Sequence, residues 1–174
     1  IYKAEKIDTH GGSLRVYVSK NKNKKDTESI KKILRDEEKF GIKKFETYEK
    51  FAEKIYKIKK NVLRNLNKIK KNTNKIIGYG SPAKATTALN FFGISKEIDC
   101  IIEDNKLKQG KFLPGVNIPI VNNKKKINQN SSLLILAWNF FDEIKKKNKK
   151  NYKNIINVKS LEKENFFNES KKDN

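Results

Sequence analysis

A chain of 174 residues is long enough for one buried core with a helical extension and too short for two full domains. Its formal charge of +21 would suit nucleic acid or an anionic membrane, but of 41 basic residues only Arg15, Arg35 and Arg64 are arginines. Guanidinium forks for phosphates and bases are therefore scarce, and a solvated lysine surface accounts for the charge. One cysteine, Cys100, and one histidine, His10, cannot build a Cys/His metal site, and no apolar run nears the ~20 residues of a membrane span. The expectation is a cytoplasmic protein with no metal and no membrane partner. The chain has no methionine and opens in mid-pattern at "IYKAEKID", so a piece of a longer polypeptide is expected.

In "GGSLRVYVSK", Leu14, Val16 and Val18 alternate with Arg15, Tyr17 and Ser19. That predicts a half-buried strand after a glycine turn, with its partner strands upstream of this chain. A polar break follows and ends in a helix start, with Thr27 or Ser29 as the cap. The helix runs from about residue 28 to Gly41, which suits a C-cap. Phe45, Tyr48, Phe51, Ile55, Ile58, Val62, Leu66 and Ile69 then recur at spacings of three and four, giving one long amphipathic helix over about 47–71.

From Lys75 the rhythm becomes strand and helix. Strands are predicted at about 75–79, 98–102, 118–121, 133–138 and 154–158, and helices at about 82–92 and 140–150. The runs "KIIGY", "IDCII" and "SLLILAW" are apolar nearly throughout, as parallel strands covered on both faces are. The expected fold is α/β, a Rossmann-like, mostly parallel sheet preceded by a long amphipathic helical segment. The tail from Leu161 is expected to fray except where Phe166 and Phe167 dock.

Gly78-Tyr79-Gly80-Ser81-Pro82-Ala83 satisfies the G-x-G-x-x-G/A form between a strand and a helix. On that reading Gly78 permits the tight turn, Gly80 lets a phosphate approach the backbone, and Ala83 lets the helix lie close to the strand. The helix start favours an anion, and Lys84 offers countercharge. Glu103-Asp104 ends the second strand where a ribose-binding carboxylate would sit. Pro82 weighs against NAD, because it removes an N–H that a pyrophosphate would use. The residues alone point to a phosphorylated or nucleotide ligand, with an NAD(P)-binding oxidoreductase domain and a basic nucleic-acid-binding module as alternatives.

Four segments taken together, "THGGSLRVY" (Thr9–Tyr17), "GYGSPAKATTALNFFGI" (Gly78–Ile94), "EDNKLKQGKFLPGVNIPI" (Glu103–Ile120) and "LILAWNFFDEI" (Leu134–Ile144), resemble the sugar C-methyltransferases. Those enzymes join a class I S-adenosylmethionine-dependent methyltransferase domain to a characteristic C-terminal domain. The resemblance implies a methyltransferase-domain remnant at 1–20, a helical connector packed on the next domain at 21–74, a Rossmann-like substrate-binding domain at 75–160 and a tail at 161–174. It also implies that a nucleotide-linked keto sugar faces Gly78, Gly80, Ser81, Pro82, Ala83 and Lys84. Asp104, Asn105, Lys108 and Lys111 of the next loop, and Trp138 and Asn139 after the fourth strand, would complete the site. Lys84, Lys108 and Lys111 would then counter a diphosphate.

The family chemistry implied is proton removal beside a ketone, followed by attack of the enolate on the sulfonium methyl of S-adenosylmethionine. The base and the glycine-rich cofactor loop of such enzymes fall upstream of this chain, so methyl transfer by this piece alone is not expected. His10 is the one histidine left, and a structural or supporting role is favoured for it over a catalytic one.

Overall fold

The computed structural model describes residues 1–21, 23, 24, 28–122, 130–164 and 166; the His10 side chain lies outside the described part. The chain forms two compact units, Ile1–Lys54 and Ile55–Asn174, and the division falls within one helix.

The first unit opens with β1 (Lys3–Ile7) and β2 (Ser13–Tyr17), an antiparallel pair in which Ala4 faces Val16 and Lys6 faces Leu14. The strand predicted from "GGSLRVYVSK" thus has a partner inside the chain. That partner, "KAEKI", escaped sequence reading because lysine and glutamate occupy three of its five positions. One face of the pair is a polar network centred on Glu5, which accepts a hydrogen bond from the Tyr17 hydroxyl at 2.5 Å and pairs with Lys3 at 3.1 Å and Arg15 at 3.3 Å. The hydrogen bond from Tyr17, joined by Lys3 and Arg15, holds the Glu5 carboxyl below its ordinary value.

Helix α1 (Glu28–Phe40) contacts β1, and the Ser29 hydroxyl accepts the Ala4 N–H at 3.4 Å. Thr27, the other predicted cap, lies outside the described residues. The helix ends where expected, at Gly41, whose N–H returns to the Glu37 and Glu38 carbonyls. Among the described residues of this unit Ala4 is the only buried hydrophobic, while Leu14, Val16, Val18, Leu34, Phe40, Phe45 and Phe51 are exposed. The strand expected to be half-buried therefore shows its apolar alternates to solvent.

Helix α2 (Phe45–Asn72) supplies the second unit with Val62, Leu66 and Ile69, all buried. Beyond it come β3 (Ile76–Tyr79), α3 (Ala83–Phe92), β4 (Cys100–Ile102), β5 (Ile120–Val121), β6 (Ser132–Ile135), α4 (Phe141–Asn148) and β7 (Asn154–Asn157). The sheet order is β5-β4-β3-β6-β7 with every pairing parallel, the Rossmann-like α/β fold that the sequence predicts. Alternate strand residues feed two cores. Ile76, Ile101, Leu134 and Ile156 pack with Val62 and Leu66 of α2 and Ala85 and Leu89 of α3. Ile77, Tyr79, Ile102, Leu133 and Ile135 pack with Ile144 of α4 and with Tyr152. Apolar side chains on both faces explain the unbroken apolar runs. No helix among the described residues is long and apolar enough to cross a membrane.

The segment after β7 does not fray at Leu161. Leu161 is fully buried inside a 3-10 turn, Val158–Glu162, and Phe166 packs partly against the same core. Polar side chains on α2 hold this backbone: Asn65 donates to the Leu161 and Lys163 carbonyls at 2.9 Å each, Asn61 to Glu162 at 2.9 Å, and Arg64 to Glu164 at 3.0 Å. Positions 61, 64 and 65 share one helix face, which in the sequence looks merely solvated. Phe167, the other residue expected to dock, lies outside the described residues.

Two substitutions check this packing by chemical denaturation. Leu66→Ala removes a fully buried side chain and is expected to cost about 2–5 kcal/mol. Asn65→Ala leaves two carbonyls without their donor and is expected to cost about 1–3 kcal/mol.

Candidate functional site

The sheet order reverses between β3 and β6: β4 and β5 build outward on one side and β7 on the other. Helices α3 and α4 leave the carboxyl ends of these two strands and cover opposite faces, the placement at which open α/β sheets hold ligands in a crevice between the loops. Sequence-predicted site residues from both loops border it.

Gly78 does not make the turn. It lies in β3, opposite Ile101 and Leu134, and a Cβ there would come within 2.9 Å of Ile101 Cγ1 and 3.1 Å of Leu136 Cδ1. Its role is to let neighbouring side chains close over the strand. Gly80 makes the turn, with φ at 85°, and a Cβ there would stand 2.7 Å from Ala137 Cβ in the loop after β6. The two loops meet at this point. Ala83 is exposed, and the residue that lets α3 lie against the sheet is Ala85, which is buried.

The turn's donors are already engaged. Gly80 N–H donates to the Ile102 carbonyl at 2.8 Å, and Ser81 gives both its N–H and its hydroxyl to Glu103 Oε2, at 2.9 and 2.5 Å. Pro82, at the N-cap of α3, has no N–H to offer. A pyrophosphate seated on Gly80 and Ser81 would have to displace these bonds, which weighs against the dinucleotide alternative. Ala83 and Lys84, at the helix start, carry the next N–H groups along.

Glu103 is engaged within the protein. Besides Ser81 it accepts the Asn105 N–H at 3.0 Å and lies 3.9 Å from the Lys108 ammonium. Burial pushes the Glu103 carboxyl up, but the bonds from Ser81 and Asn105, with Lys108 nearby, outweigh it and hold the group below its ordinary value. Lys108 in turn donates to the Ser81 carbonyl at 2.8 Å, and Gln109 to the Glu103 carbonyl at 2.7 Å. Asp104 points elsewhere, accepting the Tyr79 hydroxyl at 2.8 Å and pairing with Lys147 at 3.7 Å. Burial, then the Asp104 carboxylate, push the Tyr79 hydroxyl well above its ordinary value, so Tyr79 is a neutral donor near pH 7. Asn105 is a turn residue whose side chain accepts the Leu107 N–H at 3.0 Å.

The predicted residues therefore fall into two groups around the first turn of α3. Lys84 reaches the β6 side, where its ammonium lies 4.2 Å from the centre of the half-buried Trp138 ring, with Asn139 exposed next to it. Lys159, after β7, stands 5.7 Å from the same ring. Sequence reading missed Lys159, because only the β6–β7 pairing brings it there. Lys108 and Lys111 instead help line a cavity of about 200 Å³, which also touches Ser81 and Thr86. The backbone of His10 belongs to the turn Thr9–Gly11 between β1 and β2, in the other unit. No cluster of three or more metal-ligating side chains occurs among the described residues.

An open parallel sheet with its order reversing between β3 and β6 is the α/β architecture of the Rossmann-like folds. Residues 8–157 match the family model described as the C-methyltransferase C-terminal domain, and the chain belongs to that family. Over 140 residues it is 30% identical to C-methyltransferase NovU of Streptomyces niveus, an alignment covering 79% of this chain and 33% of that protein. The chain thus spans about a third of the length of the curated relative it matches.

The Glu103 latch makes stability sensitive to acid. A carboxyl held below its unfolded value stabilises the fold at pH above that unfolded value, near 4.5, and the contribution is lost as pH falls through the folded value. Between pH 7 and pH 3 the denaturation midpoint should drop more in the natural protein than in Glu103→Gln. Parallel curves would show that Glu103 is not the titrating latch.

Proposed function

We propose that this chain is the nucleotide-sugar-binding part of an S-adenosylmethionine-dependent C-methyltransferase acting on a nucleotide-linked keto sugar. The observation that carries the reading is the Lys84–Trp138–Lys159 arrangement at the switch-point crevice: two ammonium groups beside an aromatic face, with the N-terminus of α3 adjacent. Such a site suits an anion joined to a ring. Lys84 can turn from the indole to a phosphate oxygen at little cost, since an exposed cation–π contact is worth only about 0.5–1 kcal/mol. A charge-assisted bond to phosphate is stronger. Membership of the C-methyltransferase C-terminal domain family supports the reaction class.

S-adenosylmethionine supplies an electrophilic methyl group, and the described residues do not fit it. The Gly80 and Ser81 N–H groups are committed, and Glu103 and Asp104, the carboxylates placed to take a ribose, are bonded to Ser81 and Tyr79. The methyl-donor site and the base that removes the proton beside the ketone are accordingly proposed for the part of the protein beyond this chain. What these residues do is bind and orient: Lys84 and Lys159 fix the anionic end, and Trp138 and Asn139 border the ring. The exposed apolar residues Leu14 and Val16 on the two-stranded sheet, with Val18 just after it, favour reading residues 1–20 as the margin of a methyltransferase domain.

Full-length protein incubated with S-adenosylmethionine and a panel of 4-keto nucleotide sugars should transfer methyl to carbon. Lys84→Ala should raise the sugar-nucleotide KM by about tenfold, the loss of one charge-assisted bond, while leaving the KM for S-adenosylmethionine unchanged. A Lys84→Ala enzyme with unaltered sugar-nucleotide KM would remove the crevice from the reading.

A further inference from the structure

Lys84 hangs from the first turn of α3, so its place at the crevice depends on how that helix is rolled about its own axis. The side chains that α3 buries, Ala85 and Leu89, are aliphatic. Apolar contact is non-directional, and packing alone therefore resists roll weakly. With successive residues about 100° apart, Thr86 and Asn90 fall on one flank of the buried line and Lys84 on the opposite flank, beside Trp138. The Asn90 flank is tied down. Its side-chain amide donates to the Thr86 carbonyl, one turn back, and to the Pro114 carbonyl in the loop between β4 and β5, at 2.9 Å each.

The far end of this tie is a fixed point. Leu113 N–H bonds to the Ile118 carbonyl and Asn117 N–H to the Leu113 carbonyl, and Leu113 and Ile118 are buried in the core on which α3 packs. Gly115 is shaped for its partner, because a Cβ there would collide with the Asn90 carboxamide. The other anchor of α3, Ser81 on Glu103, stands just before the helix begins, where a single attachment is a pivot rather than a brake on roll. We infer that Asn90, seated on Pro114 and Gly115, is a positioning residue for the anionic end of the substrate: it sets the roll of α3 and thereby holds Lys84 at the crevice. The inference rests on the nucleotide-sugar reading above and deepens it by naming what places the cation on which that reading depends.

Fluorine NMR of full-length protein carrying fluorotryptophan tests the placement without any ligand, since the Trp138 resonance, assigned by its loss in Trp138→Phe, senses the Lys84 ammonium beside the ring. Asn90→Asp keeps the side chain's size but sets acceptors against two carbonyls. Gly115→Ala keeps Asn90 and removes its seat. Both should shift the Trp138 resonance, whereas Thr87→Ala, on the exposed face of the same helix, should not. Both should also raise the sugar-nucleotide KM, by no more than the about tenfold of Lys84→Ala, and Asn90→Asp added to Lys84→Ala should raise it no further, because one residue acts through the other. A resonance unmoved in both variants, or a KM increase that multiplies with that of Lys84→Ala, overturns the inference and leaves the nucleotide-sugar reading standing. A shifted resonance with unchanged KM overturns it as well, since the tie would then serve the fold alone. A natural protein that binds no nucleotide sugar overturns both.

Discussion

The carboxylate of Glu103 joins the two loops that form the β4 side of the candidate site. It leaves the end of β4 and gathers the N–H and hydroxyl of Ser81 and the N–H of Asn105, with the Lys108 ammonium closing the group from above. Lys108 completes a ring by bonding the Ser81 carbonyl. Each loop alone would be a stretch of irregular backbone with unpaired polar groups at the sheet edge. Held together, they fix where α3 starts, and hence where Lys84 and the wall of the neighbouring cavity stand.

That arrangement has a consequence for ligand binding. A carboxylate of the protein itself takes the place on the glycine turn that an incoming anion would otherwise seek. On the proposed reading, the negative charge of a ligand lies past the turn, at the helix start and Lys84. Gly80 makes the same edge compact, because its lack of a side chain lets Ala137 approach. The outcome is a glycine-turn fold whose sequence reads as a dinucleotide fingerprint and whose hydrogen bonds do not serve one.

Much of the fold was legible in the sequence because its signals were local. The apolar runs in β3, β4 and β6 marked a sheet covered on both faces, and the spacing of Val62, Leu66 and Ile69 marked the helix beneath it. Features that depend on distant pairing were not legible. Asn61, Arg64 and Asn65 resemble any solvated helix face until residues 161–164 are laid along them. Strand β1 hid behind its lysines and glutamate. Lys84, Lys108, Lys111 and Trp138 were singled out from the motif and the loops, and only the folded sheet separates them into two groups and brings Lys159 beside Trp138. The place of Gly78 inside β3 and the partners of Glu103 were not legible for the same reason: the sequence pattern carries the position of a residue and not the partner it meets.

Trp138 is the only tryptophan in the chain and stands at the crevice under the Lys84 ammonium, so its fluorescence reports that place alone. Titration with a nucleotide-linked keto sugar should change Trp138 emission in a saturable way, and the change should be lost at high concentrations of competing nucleoside diphosphate. Emission that stays constant while the nucleotide sugar binds would contradict the central claim that this crevice holds the substrate.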